Sequence, residues 1–181
     1  QKAYAYAGYL AINISSPNTP GLRNMQNAGE LETLLAELTR LRTVLRAQSG
    51  RYVPLALKVA PDLSAQQIDD ITRATVDYGI DALIVGNTTV ERPGIAGAHA
   101  HETGGLSGKP LLPLATRTLQ SFAQRLQGKI PLIGVGGISS GADAVAKIKA
   151  GATLIQIYSG LIYRGPGLLG EISKALKKTR E

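Results

Sequence analysis

The 181-residue chain has no cysteine and no tryptophan, one methionine, one phenylalanine and two histidines. The absence of cysteine excludes a disulfide scaffold and fits a cytosolic-type protein. The two histidines, His99 and His101, form an H-x-H pair of the kind that can ligate a metal. With no cysteine and no third ligand near them, they read as solvent-exposed loop residues. No Ser-His-Asp set and no paired carboxylates emerge. Apolar runs are only strand-sized, so no segment is long enough to span a bilayer. The start, Gln1-Lys2-Ala3-Tyr4, has no initiator methionine and no signal-peptide core; it reads as an interior cut with chain missing upstream. At 181 residues the chain is also short of the ~250 that a complete (β/α)₈ barrel typically needs.

Acidic residues are in deficit, 13 against 20 Lys and Arg, for a net charge of +7. Such a balance suits anionic partners: nucleic acid, lipid headgroups, or phosphate and carboxylate ligands. The basic residues are scattered, apart from Lys174, Lys177, Lys178 and Arg180, and most read as solvated helix faces. With 4% aromatic residues there are no stacking platforms for single strands, and no nucleic-acid motif is recognisable. Disorder is excluded by a 44% hydrophobic content.

What is present is a regular alternation. Short β-branched runs at Tyr9–Ser15, Val53–Val59, Ala82–Gly86, Pro131–Val135 and Leu154–Tyr158 predict strands. Each is followed by a loop and a helical pattern. Leu31, Leu34, Leu35, Leu38, Leu41 and Leu45 give the first helix, near Glu30–Gln48, one apolar face. Ser64 and Gln67 form a capping-box pattern before the second, which Gly79 can close. Further helices are expected near Leu112–Leu126, from Ser140 to Gly151, and over Pro166–Lys178. Strands alternating with helices of this length argue for a parallel sheet covered by helices. The long loops, Ser16–Gly29 and Thr88–Pro110, both follow strand C-termini, the ligand-binding face of α/β folds.

Polar residues gather at those strand ends. Asn13-Ile14-Ser15-Ser16-Pro17-Asn18 supplies two amides and a hydroxyl, either for a planar, amide-rich ligand or for an Asx/Pro turn. Lys58 ends an apolar strand and needs a partner, either an electron-rich ligand or Asp62. Asn87 and Thr88 repeat the amide–hydroxyl pattern after Gly86. In Thr103-Gly104-Gly105-Leu106-Ser107-Gly108-Lys109 the glycines permit close backbone approach to a ligand, but Pro110 breaks the match to a P-loop. Gly134-Val135-Gly136-Gly137 and Tyr158-Ser159-Gly160 follow successive strands, and backbone amides of such loops bind phosphate.

Taken in order, NISSPNTPGLR at Asn13–Arg23, Lys58 in LKVAPDL, Asn87-Thr88-Thr89, ETGGLSGKPL at Glu102–Leu111, IGVGGISSG at Ile133–Gly141 and IQIYSGLIYRGP at Ile155–Pro166 resemble the dihydroorotate dehydrogenase family across essentially the whole chain. The closer resemblance is to class 2, quinone-linked members, because Ser16 stands where class 1 members carry cysteine. The resemblance implies a (β/α)₈ TIM barrel, here an incomplete chain of about five βα units matching strands four to eight. It implies FMN at the mouth of the barrel and oxidation of dihydroorotate to orotate in pyrimidine synthesis, with a quinone as electron acceptor. Peripheral contact with the cytoplasmic side of the inner membrane would come from a segment not in this chain. By the same resemblance, Ser16 is the catalytic base. Asn13, Asn18, Asn87 and Thr88 bind substrate. Asn13, Lys58, Gly86, Gly108, Gly137, Tyr158 and Ser159 bind FMN. Gly86 departs from the family's frequent threonine, so only a backbone contact would survive there. The basic charge would then serve the FMN phosphate and a pyrimidine carboxylate. The alternatives are another FMN barrel, such as a class 1 relative or a dihydrouridine synthase, and a non-enzymatic basic α/β module binding anionic partners.

Overall fold

Five short strands form one parallel sheet whose spatial order is the order of the chain: β1 (Leu10–Asn13), β2 (Leu55–Val59), β3 (Ala82–Val85), β4 (Leu132–Val135) and β5 (Leu154–Gln156). The computed structural model describes residues 1–179, without the side chains of residues 98 and 99. Arg180 of the basic cluster and the His99 side chain lie outside the described residues, whereas His101 is exposed. Each strand pairs in parallel with the next, Asn13 beside Lys58, Lys58 beside Ile84, Ile84 beside Ile133 and Val135 beside Gln156. A doubly wound sheet reverses its order at a switch point. This one does not, and a run of consecutive parallel strands is the wall of a (β/α) barrel.

Helices cover one face of that wall. They are α1 (Ala28–Ser49), α2 (Ala65–Asp77), α3 (Leu112–Leu126), α4 (Gly141–Lys149), the short α5 (Ser159–Arg164) and α6 (Gly167–Lys178). The period-two alternation of the strands divides the faces. Leu55, Leu57, Val59, Leu83, Val85 and Leu132 enter the core with Leu31, Leu35, Ile68, Ile71, Leu119, Phe122 and Leu126 from the helices. Ala56, Lys58, Ile84, Ile133 and Val135 fall on the opposite, concave side. Only the first turns of α1 reach this core: Leu41 and Leu45 continue the sequence pattern but remain half-buried outside it.

Local signals account for the helix ends. The Ser64 hydroxyl accepts the Gln67 N–H at 3.2 Å and the Gln67 side chain accepts the Ser64 N–H at 3.1 Å, a complete capping box before α2. Ser140 caps α4 by accepting the Asp143 N–H at 3.1 Å. Strand ends are shorter than the apolar runs suggest: Ser15, Gly86 and Tyr158 lie past the paired residues, because their backbones turn into the site loops. Helix α5 is absent from the sequence-based assignment; its six residues are too few to show a period. No helix among the described residues is long and apolar enough to cross a membrane.

Candidate functional site

At the C-terminal ends of β2, β3, β4 and β5 lies a cavity of about 470 Å³, within the ~300–1,000 Å³ of small-molecule sites. Lys58, Asn87, Thr88, Gly108, Gly137, Tyr158 and Ser159 of the sequence-predicted residues line it, with Ser107, Val135, Gly136, Ile138 and Gln156. Asn13, Ser16, Asn18 and Gly86 do not line it: Asn13 ends β1, Ser16 and Asn18 lie in the loop that follows, and Gly86 comes directly after β3.

Asn13 and Asn87 are joined through a residue that sequence reasoning passed over. Ser15 is fully buried. Its hydroxyl donates to Asn13 Oδ1 at 2.9 Å and accepts from Asn87 Nδ2 at 2.8 Å. Asn87 Nδ2 also reaches Asn13 Oδ1 at 3.3 Å, and Asn87 Oδ1 accepts the Thr88 N–H at 2.8 Å. Both amides are therefore held in fixed orientations across the mouth of the sheet. The tandem Ser15-Ser16 held the signal: one hydroxyl turns inward to order the amides and the next stays half-exposed. Ser16 Oγ accepts the Asn18 N–H at 3.3 Å, which leaves its own proton free.

A second group fastens the loops. Arg23 forms an ion pair with Asp62 at 2.7 Å and donates to the carbonyls of Ser15 at 3.2 Å and Thr88 at 2.8 Å. Asp62 also accepts from the Thr89 hydroxyl and from the Val90 N–H at 3.3 Å. Asp62 is thereby taken by Arg23, so the expected alternative of a Lys58–Asp62 bridge is not formed. Lys58 has no hydrogen-bond or ion-pair partner among the described residues, and burial holds its ammonium below the usual lysine range.

The glycine loop divides its work. Thr89 and Leu106 exchange backbone bonds of 3.0 and 2.8 Å that clip the loop to the end of β3. Gly105 packs against Thr88 and Pro17, and Gly104 against Asn18, so these two glycines make room for the chain itself. Gly108 alone of the three lines the cavity, beside Ser107, whose hydroxyl is bonded to that of Ser159 at 2.9 Å. Gly86 has φ +121°, and a Cβ there would lie 2.6 Å from the Val135 carbonyl oxygen. This backbone admits no hydroxyl side chain, so a peptide contact is what Gly86 can offer.

The far end of the cavity fits an anion. The N–H groups of Gly136 and Gly137 carry no hydrogen bond among the described residues, although Gly137 is buried. A buried amide without a partner is costly, and a ligand oxygen is a natural acceptor. Asp143 orders the same loop, accepting from the Ser139 N–H and hydroxyl at 3.0 Å each. Burial works against its charge, but hydrogen bonds from Ser139 and Ser140 outweigh it and hold the carboxyl below its usual range. Among the described residues Lys58 is the one charged residue in the cavity wall. The net charge of +7 therefore lies mostly away from the site, contrary to the expectation that it serves the ligand's anionic groups. No cluster of metal-ligating side chains occurs among the described residues.

The family profile of dihydroorotate dehydrogenase matches residues 1–179. Curated relatives named dihydroorotate dehydrogenase (quinone) include one from Shewanella amazonensis, 54% identical over 172 residues, covering 94% of this chain and 51% of the relative. Another, from Alkalilimnicola ehrlichii, is 54% identical over 177 residues, covering 97% and 52%. Among solved structures, the ligand-free Eimeria tenella enzyme superposes with a TM-score of 0.88 at 34% identity, covering 96% of this chain and 52% of that one. The chain spans about half the length of the curated relatives it matches.

Proposed function

This chain belongs to the dihydroorotate dehydrogenase family, and from that premise we propose that it forms the FMN- and substrate-binding side of an enzyme that oxidises dihydroorotate to orotate, with a quinone as acceptor. The observation that carries this reading is one continuous cavity with the Asn87 amide, fixed by Ser15 and Asn13, at one end and unpartnered glycine N–H groups at the other.

The residues present fit FMN. Gly136 and Gly137 offer N–H groups to the phosphate, with Ser107 and Ser159 beside them. Lys58, a cation without a partner, meets the flavin ring, where positive charge favours the reduced form. When bound, FMN supplies the acceptor for the hydride that leaves C6 of dihydroorotate. Asn13, Asn18, Asn87 and Thr88 hold the pyrimidine by its amide edges. Asn87 is already ordered by Ser15, so less freedom is lost on binding.

Ser16 takes the proton from C5. A serine hydroxyl is a weak base at neutral pH. It accepts the C5 proton only as its own is passed on, and the exposed Thr19 in the same loop offers that route to water. The exposed apolar side chains of Ile162 and Tyr163, next to Ser159, offer an approach for a hydrophobic acceptor such as a quinone. The pathway is pyrimidine synthesis, with peripheral attachment at the cytoplasmic face of the inner membrane.

The test is stopped-flow reduction of the flavin by dihydroorotate in the native protein that carries this chain. Ser16→Ala slows reduction on the order of 10²–10⁴-fold while dihydroorotate still binds. Reduction at the wild-type rate removes Ser16 from the chemistry, and a native protein that binds no FMN overturns the reading.

A further inference from the structure

Behind the glycine turn of the cavity lies a charge that the proposed chemistry does not use. Lys147 is 0% exposed, enclosed between α4 and β4. Its neighbours on that helix face are Ala144 and Ile148, so an apolar residue is what the position calls for. Its ammonium has one hydrogen-bond partner among the described residues, the Val135 carbonyl at 3.5 Å. A trans peptide holds its C=O and N–H on opposite sides. With the Val135 carbonyl drawn toward Lys147, the Gly136 N–H is turned the other way, and Gly136 lines the cavity with that N–H unbonded.

The charges around Lys147 are otherwise engaged. Asp143, one turn earlier on α4, is bonded to Ser139. Lys109, from the loop before α3, acts on Asp143. Glu171, from α6, accepts the Gly141 N–H at 2.7 Å and pairs with Arg164 at 2.9 Å. None of these carboxylates forms a salt bridge with Lys147.

We propose that Lys147 is a positioning residue for the phosphate end of the flavin site: its buried ammonium fixes the Val135–Gly136 peptide with the N–H toward the anion and places a positive charge beneath it. The role rests on the FMN reading above. Lys147 acts through the peptide rather than by touching the flavin. Burial pushes Lys147 down to about 8, against the pull of Asp143, so it is charged at neutral pH and loses its proton just above. A bound phosphate favours the charged form. The Lys147 contribution to FMN affinity is therefore full below pH 8 and falls as pH rises through it. Riboflavin, which has the same ring and no phosphate, carries no such slope.

The experiment titrates the native protein that carries this chain, freed of flavin, with FMN and with riboflavin. Lys147→Met is expected to weaken FMN about tenfold, equivalent to about 1.4 kcal/mol, to leave riboflavin unchanged and to abolish the slope above pH 8. Lys147→Arg restores the FMN preference. An unchanged FMN preference in a K147M protein that binds riboflavin normally overturns the role and leaves the proposed function intact. Failure of the wild-type protein to bind FMN overturns both. Should K147M not fold, the wild-type protein decides: an FMN affinity flat across pH 8 overturns the role.

Discussion

A methyl group at residue 105 has nowhere to go. An ideal Cβ on Gly105 would stand 1.8 Å from Thr88 Oγ1 and 2.9 Å from Pro17 Cγ. Thr88 follows Asn87, and Pro17 follows Ser16, so the two side chains that must give way adjoin the proposed substrate amide and the proposed base. Gly105→Ala is expected to cost about 1–3 kcal/mol of stability, as overpacking does, and to weaken orotate about tenfold, equivalent to about 1.4 kcal/mol. Urea titration and calorimetric titration with orotate read the two effects separately. Lost stability with full orotate affinity would place Thr88 outside the substrate site. The sequence marks this glycine as a place of close approach. It cannot say that the approaching group is the chain's own threonine, because that contact joins residues brought together only when the loop folds back on β3.

At the scale of elements, the periodic segments were the readable ones. The apolar run of β2 and the capping box of α2 are written within a few consecutive residues, and both occur where the pattern places them. The Arg23–Asp62 clamp is of another kind. Asp62 lies four residues from Lys58 and 39 from Arg23, and proximity along the chain favours the wrong cation. Only the fold shows that the 3₁₀ turn at Leu22–Gln26 carries Arg23 across the ends of β1, β2 and β3. With side chains 22% and 11% exposed, this pair is mostly shielded from water. Arg23→Met is expected to cost about 2 kcal/mol, below the ~3–5 kcal/mol of breaking a fully buried pair because Thr89 and Val90 still bond Asp62. The loss should appear as faster hydrogen exchange at Ser15–Thr19 and Thr88–Val90 together. Ser64→Ala, which removes only a helix cap, costs about 1 kcal/mol and leaves those loops protected. Exchange that rises in one loop alone would mean the clamp does not couple them.

For the whole molecule, the unbalanced feature is the concave face of the sheet. The helices bury the outer face, but β1 and β5 each keep one edge unpaired within this chain. Near them Leu154 is 60% exposed and Tyr9 53% exposed. Together with Pro54, Ala56, Ile133 and Gln156 they line an apolar hollow of about 450 Å³ on that face. Unpaired parallel edges beside exposed apolar side chains are a template for association, and closing a barrel wall is what removes such edges. This chain covers about half of the Eimeria tenella structures that share its wall, at 49% and 52%. The 181 residues studied by themselves are therefore expected to bind a hydrophobic dye such as ANS and to self-associate with rising concentration, seen by sedimentation. Adding the part of the Shewanella amazonensis relative that this chain does not match, as a separate polypeptide, is expected to suppress both by covering the same two edges and the same hollow. The net charge of +7 opposes self-association at low salt, so association should strengthen as salt screens that repulsion. A chain that stays monomeric and silent to the dye at high salt would show that the hollow closes on itself within these residues.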